Sequence, residues 1–132
     1  MKVEAFVLCD AATKGSGKLN ILGAFDCIYA EQVPVKHFNC EIVARIRVNE
    51  KDIGNHQIKI NITDKDGKKV KPSIDGSLNV ILRRGRETDI FNIVLSIHRM
   101  TLERHGQYNL DLVIDKEVMA ISSFYVTKTV QE

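Results

Sequence analysis

The stretch Phe38-Asn39-Cys40-Glu41-Ile42-Val43-Ala44-Arg45-Ile46-Arg47-Val48-Asn49 decides the fold class. Phe38, Cys40, Ile42, Ala44, Ile46 and Val48 share one parity, while Asn39, Glu41, Arg45 and Arg47 fall on the other. Alternate side chains of a strand point to opposite faces, so the segment reads as a strand covered on one side. The same period marks Ile58, Ile60 and Ile62, then Leu78, Val80 and Leu82. It returns at Phe91, Ile93, Leu95 and Ile97, and at Tyr108, Leu110, Leu112 and Ile114. A further strand is predicted from Val118 to Val126. Val3 to Cys9 and Leu19 to Ala30 are apolar on both parities, which predicts inner strands or strands that bend between two sheets. Gly23, inside the second, predicts a bulge or a close backbone approach.

Turn residues separate these runs. Lys14-Gly15-Ser16-Gly17-Lys18 reads as a flexible loop and Val33-Pro34-Val35 as a kinked connection. Asp64-Lys65-Asp66-Gly67-Lys68 carries the signature of a tight hairpin, with Gly67 free to take a positive φ. Arg83-Arg84-Gly85-Arg86 and Asp115-Lys116 are two more turns. No window holds a helix-period apolar stripe, and only Arg99 to His105 has room for one short helical turn. The prediction is an all-β antiparallel β-sandwich of roughly seven to nine strands, a single domain over residues 1–132. Gly106-Gln107-Tyr108 leads into the second-to-last strand. A tyrosine there matches the tyrosine corner of immunoglobulin-like sandwiches, in which the hydroxyl bonds back to upstream backbone.

Composition narrows the compartment and the partners. Hydrophobic residues make up 44% of the 132 and charged residues 27%, which are ordinary globular values. The longest apolar runs fall far short of the ~20 residues that span a bilayer. The start, Met1-Lys2-Val3-Glu4-Ala5, lacks a secretory h-region, and the cysteines are the odd set Cys9, Cys27 and Cys40. Both features predict a cytoplasmic protein with reduced thiols and no membrane partner. The net charge of +2 gives no global field that selects nucleic acid.

Met1-Lys2-Val3-Glu4-Ala5-Phe6-Val7-Leu8-Cys9-Asp10-Ala11-Ala12 and Asn20-Ile21-Leu22-Gly23-Ala24-Phe25-Asp26, with Asp64 to Gly67 and Gly106 to Tyr108 in the same order, carry a resemblance. The chain resembles a family of small uncharacterised bacterial proteins, a domain of unknown function, over nearly its whole length. The resemblance implies a bacterial β-sandwich and assigns no functional residue.

Each chemical motif meets a structural alternative. Asp64-Lys65-Asp66-Gly67 has the opening spacing of a calcium loop, with Asp75 at its twelfth position, but Lys65, Lys68, Lys69 and Lys71 would repel the ion. His37 and Cys40, even with Cys9 and Cys27, make one imperfect zinc unit where two are needed. Cys9-Asp10 with His98 or His105 lacks an oxyanion device and sits on the parity of Val3, Ala5 and Val7. Asp26, Asp111 and Asp115 suit solvent or turns better than a glycosidase pair. Lys14 to Lys18 lacks phosphate-loop spacing, and a strand follows it. The sequence therefore predicts no catalytic residue, no metal and no cofactor. It predicts a non-enzymatic protein-interaction module with an unknown protein partner, able to form a homo-oligomer through edge strands. The expected interaction patch is Lys68, Lys69, Lys71, Arg83, Arg84 and Arg86, provided that both basic loops lie at one end of the sandwich. Polyanion or nucleic-acid binding through that patch is an alternative that lacks aromatic residues for base stacking. An enzyme of unrecognised type is the other alternative.

Overall fold

The period-two runs become nine strands in a computed structural model that describes residues 1–129. They are β1 (Lys2–Gly15), β2 (Lys18–Phe25), β3 (Cys27–Tyr29), β4 (Val35–Asn49), β5 (Gly54–Asp64), β6 (Lys69–Val80), β7 (Thr88–Leu102), β8 (Gly106–Ile114) and β9 (Glu117–Thr127). A 3-10 turn at Glu50–Asp52 is closed by Asn49, whose side chain accepts from the Lys51 amide while the Asp52 carboxylate accepts from the Asn49 amide. Arg99 to His105, which has room for one short helical turn, does not form one. Met100 and Leu102 are fully buried, so β7 continues as a strand to Leu102.

The strands make two sheets, ordered β2-β1-β4-β7 and β3-β9-β8-β5-β6. All pairings are antiparallel except β3 on β9. β4, β5, β7, β8 and β9 occupy the B, C, E, F and G places of an immunoglobulin-like sandwich, and β6 occupies the place of the variable-type C′ strand. Among the described residues no strand lies beyond β7 or β6, so each is one open edge of its sheet, β2 and β3 being the opposite edges. Ile42, Ile46 and Ile97 of one sheet and Ile60, Leu110, Leu112 and Phe124 of the other form the buried core. Each such side chain contributes about 1.5–3 kcal/mol on burial.

The corner before β8 is closed by Tyr108. Its hydroxyl donates to the Arg104 carbonyl at 2.7 Å and accepts from the Arg104 amide at 3.1 Å, and its ring stacks on Phe124 with centroids 5.2 Å apart. The tyrosine corner expected from Gly106-Gln107-Tyr108 is therefore present.

Val3 to Cys9 lies in β1, an inner strand as expected, whereas Leu19 to Ala30 takes the other course. β2 is an edge strand, not an inner one, and Leu22 is 70% exposed. The segment nevertheless bends between the sheets, from β2 in one to β3 in the other, which is the alternative predicted for it. Beyond Cys9, β1 leaves β4 and pairs only with β2. The Lys14 ammonium then donates to the Asn92 carbonyl of β7 at 3.3 Å. Asn92 lies opposite Arg45, which lies opposite Ala5, so the hairpin doubles back over the outer side of its own sheet. Val43 and Cys9, both on the parity opposite to the core face, are fully buried. Gly23 sits at this bend with φ +68, and a Cβ there would lie 2.5 Å from the Asp10 carboxylate. The close approach expected of Gly23 is thus against Asp10.

Candidate functional site: a cationic cleft at two sheet edges

The six basic residues of the expected patch do not meet. Lys69 pairs with Thr63 at one end of β5, and Val80, just before the arginine turn, pairs with Gly54 at the other. The length of β6, 12 residues at about 3.3 Å each, separates the two basic loops. The condition that both loops share one end fails because a single strand joins them.

At the arginine end, the turn is tied by a hydrogen bond from the Arg86 amide to the Arg83 carbonyl, 3.1 Å. Arg83 is committed to buried Asp89: Nη2 reaches Oδ1 at 2.6 Å and Nε reaches Oδ2 at 3.0 Å. The Arg83 guanidinium, helped by the backbone amides of Arg83 and Ile90, holds the Asp89 carboxyl far below the usual carboxylate range. Arg83 is therefore a structural cation, and Arg84 and Arg86 are exposed on the turn without an acidic partner among the described residues.

At the lysine end, the hairpin is organised by Asp64. Its Oδ1 accepts from the amides of Asp66 and Lys68, each at 2.9 Å, and its Oδ2 takes Arg104 Nη2 at 2.7 Å. Both Asp64 carboxylate oxygens are thus in use, and Asp75, the late carboxylate of the calcium-loop spacing, lies away on β6, opposite Lys59. Arg104 also reaches Asp66 at 2.9 Å, and Lys68 pairs with Glu103 at 3.0 Å. Beside these pairs opens a cleft of about 270 Å³ whose charged lining is Lys68, Lys69, Lys71 and Arg99 with the carboxylates of Asp64 and Glu103, and to which Thr101 and Tyr108 contribute hydroxyls. Lys69, Lys71 and Arg99 have no acidic partner within 4.0 Å among the described residues.

Both walls are places where an edge strand is interrupted. On β6, Val70 and Ile74 pair with Ile62 and Ile60, so Lys71-Pro72-Ser73 face a single residue of β5 and bulge from the ladder. On β7, Arg99 takes φ 61, and neither it nor Phe38 opposite joins the ladder. A non-glycine residue in that region costs on the order of 1–3 kcal/mol. The inward face passes there from Ile93 and Ile97 to Met100 and Leu102, while Phe38 is thrown outward and is 58% exposed. Phe38 was expected on the apolar face; this twist is the reason it is not. Bulges at sheet edges re-aim side chains and block strand addition, and Pro72 removes an edge amide as well.

Arg99 was missed by the sequence reading. The signal for it is the change of parity between Ile97 and Met100, which marks a break in the strand.

The other candidate groups are buried or hydrogen-bonded, and His37 Nε2 is buried without a hydrogen-bond partner among the described residues. Burial pushes the Cys9 thiol up, and that of Cys40 up to about 11, so neither is an activated nucleophile. His98 Nδ1 lies 2.9 Å from Asn39 Oδ1 and His105 Nε2 lies 2.8 Å from the Ala30 carbonyl, and neither bonds to Cys9. Cys27 contacts Thr127 Oγ1 at 3.2 Å. Among the described residues no three His, Cys, Asp or Glu side chains converge as metal ligands. Asp115 opens the last turn and bonds His56 Nδ1 at 2.5 Å, while His56 Nε2 faces the Asp52 carbonyl, also at 2.5 Å. Both partners of His56 are acceptors, an arrangement that favours the doubly protonated ring, and the Asp115 carboxylate raises its pKa.

No helix among the described residues is long and apolar enough to cross a membrane. No curated protein matches the chain. Among solved structures the chain is similar to an immunoglobulin-like protein from Pseudomonas aeruginosa, at 12% identity and a TM-score of 0.40, over 96% of this chain and 95% of that one. A family model matches residues 4–127, and the chain belongs to that family, the Family of unknown function (DUF6941).

Proposed function

We propose that the chain is a non-enzymatic protein-interaction module, one domain over residues 1–132, that meets an acidic partner through the basic edge of its sandwich. One observation carries the reading. Three ion pairs are spent on closing turns, namely Arg83 with Asp89, Arg104 with Asp64 and His56 with Asp115, and Glu4 is spent on Arg45 and Arg47 across β1 and β4. Lys69, Lys71 and Arg99 are left unpaired around a cleft. Of the original patch, Lys68, Lys69 and Lys71 belong to this surface. Arg84 and Arg86 form a second contact at the far end of β6, and Arg83 supports that turn. Interrupted ladders on β6 and β7 favour recognition by side chains over strand addition, so a homo-oligomer built on edge pairing would use β2. Three free thiols support a reducing, cytoplasmic setting.

The test is photo-crosslinking inside the source cells. Benzoylphenylalanine replaces Lys69 in one variant, Arg86 in a second and Ile121, on the outer face of β9, in a third. The expected result is a discrete, nuclease-resistant protein adduct from position 69. Adducts that vanish with nuclease, or a protein adduct from position 121 alone, would contradict the reading.

A further inference from the structure

We infer that the cleft between β6 and β7 is a binding site for a phosphoryl dianion, carried by a phosphorylated side chain of the partner. The inference rests on the interaction reading above and names the group recognised.

Charge is the first argument. Lys68 is neutralised by Glu103, and Arg104 is shared by Asp64 and Asp66, so these groups cancel or slightly over-cancel. Lys69, Lys71 and Arg99, from two different sheets, remain without an ion-pair partner, and the set as a whole keeps a positive excess. A single carboxylate offers one charge to such a set. A phosphoryl group offers close to two, with three strong acceptor oxygens. Arg99 supplies a planar donor fork, Lys69 and Lys71 supply mobile ammonium donors, and the Thr101 hydroxyl completes the donor set.

Size is the second argument. At about 270 Å³ the cleft falls just below the ~300–1,000 Å³ of sites that enclose a whole small molecule. It suits a charged headgroup on a side chain better than a nucleotide or an organic cofactor.

Backbone geometry is the third. Arg99 holds a left-handed conformation that an asparagine or glycine would take more readily, yet an arginine stands there. Lys71 is lifted from the ladder by the bulge that contains Pro72. Edge protection alone needs a bulge or a charge on each strand, but it does not require both bulges to aim their cations into one concavity.

The test is a titration of the purified chain, followed by backbone amide NMR. The probes are a phosphoserine peptide, the same peptide with serine, the same peptide with glutamate, and inorganic phosphate. The inference expects saturable shifts at Lys69, Lys71, Arg99 and Thr101 with the phosphoserine peptide. It expects affinity weaker by roughly tenfold or more for the serine peptide and for a Lys69→Ala/Arg99→Ala variant. Arg84→Ala/Arg86→Ala should bind as the unaltered chain does. Arg99→Gly, which relieves the backbone, should bind weakly while melting no lower, so lost binding cannot be assigned to lost folding. Inorganic phosphate that binds in the cleft as tightly as the peptide would overturn the phosphorylated side chain as the source. An absence of saturable shifts at these four residues, with the position-69 adduct still formed in cells, would overturn the phosphoryl site and leave the interaction reading standing. Equal binding of the glutamate and phosphoserine peptides would also overturn it.

Discussion

Tyr108 shows how much one side chain can fix. Its hydroxyl both donates to and accepts from Arg104, whose guanidinium clamps Asp64 of the β5–β6 hairpin. The corner and the wall of the cleft are thereby coupled through a single residue. Tyr108→Phe removes both bonds and leaves the partly buried amide and carbonyl of Arg104 without that partner. The expected loss of stability is about 1–3 kcal/mol, read by urea denaturation. His56 provides a second expectation at this scale. Its folded pKa is raised above the ordinary value of 6.5 by Asp115 and by the Asp52 carbonyl. A raised histidine pKa contributes stability that is present in full below the unfolded value and is lost as pH rises through the folded value. The stability gap between the unaltered chain and His56→Ala should therefore be widest below about pH 6.5 and should close as the solution becomes alkaline.

At the scale of elements, the alternation in Ile42 to Val48, Ile58 to Ile62 and Tyr108 to Ile114 was enough to place β4, β5 and β8 with their buried faces. Period-two patterns are local, and these strands obey them because each has one face on the core. The β1–β2 hairpin was harder to read. Its position depends on a contact between Lys14 and Asn92, which are far apart in sequence, and no local pattern carries that. The cleft failed to emerge for a related reason. Like-charged turns invite grouping in sequence, but Lys68 to Lys71 and Arg83 to Arg86 are divided by the very strand that connects them. Arg99 joins the lysines only because β6 and β7 are the two open edges on one side of the sandwich. The folded-back hairpin has its own check. Gly23→Ala would place a methyl group against Asp10 and force an alanine to φ +68. The hairpin should loosen, and Cys9, fully buried beneath it, should become reactive to a thiol reagent. In the unaltered chain only exposed Cys27 should react quickly.

At the scale of the whole molecule, the two outer faces are unequal. One is covered by the chain's own hairpin, and the other exposes Val118, Ile121 and Tyr125 on β9. That second face is the natural competitor to the basic edge, since exposed apolar and aromatic groups also mark contact surfaces. What favours the edge is its chemistry, in which unpaired cations from two sheets share one concavity while their neighbours are neutralised. The two surfaces lie on different strands, so backbone protection separates them. The deciding measurement is amide hydrogen exchange on the chain alone and in the complex isolated from its own cells. The account predicts slowed exchange across Lys69 to Ser73 and Ile97 to Glu103, with β9 unchanged. Slowed exchange across Ile121 to Tyr125, with the cleft unaffected, would contradict it.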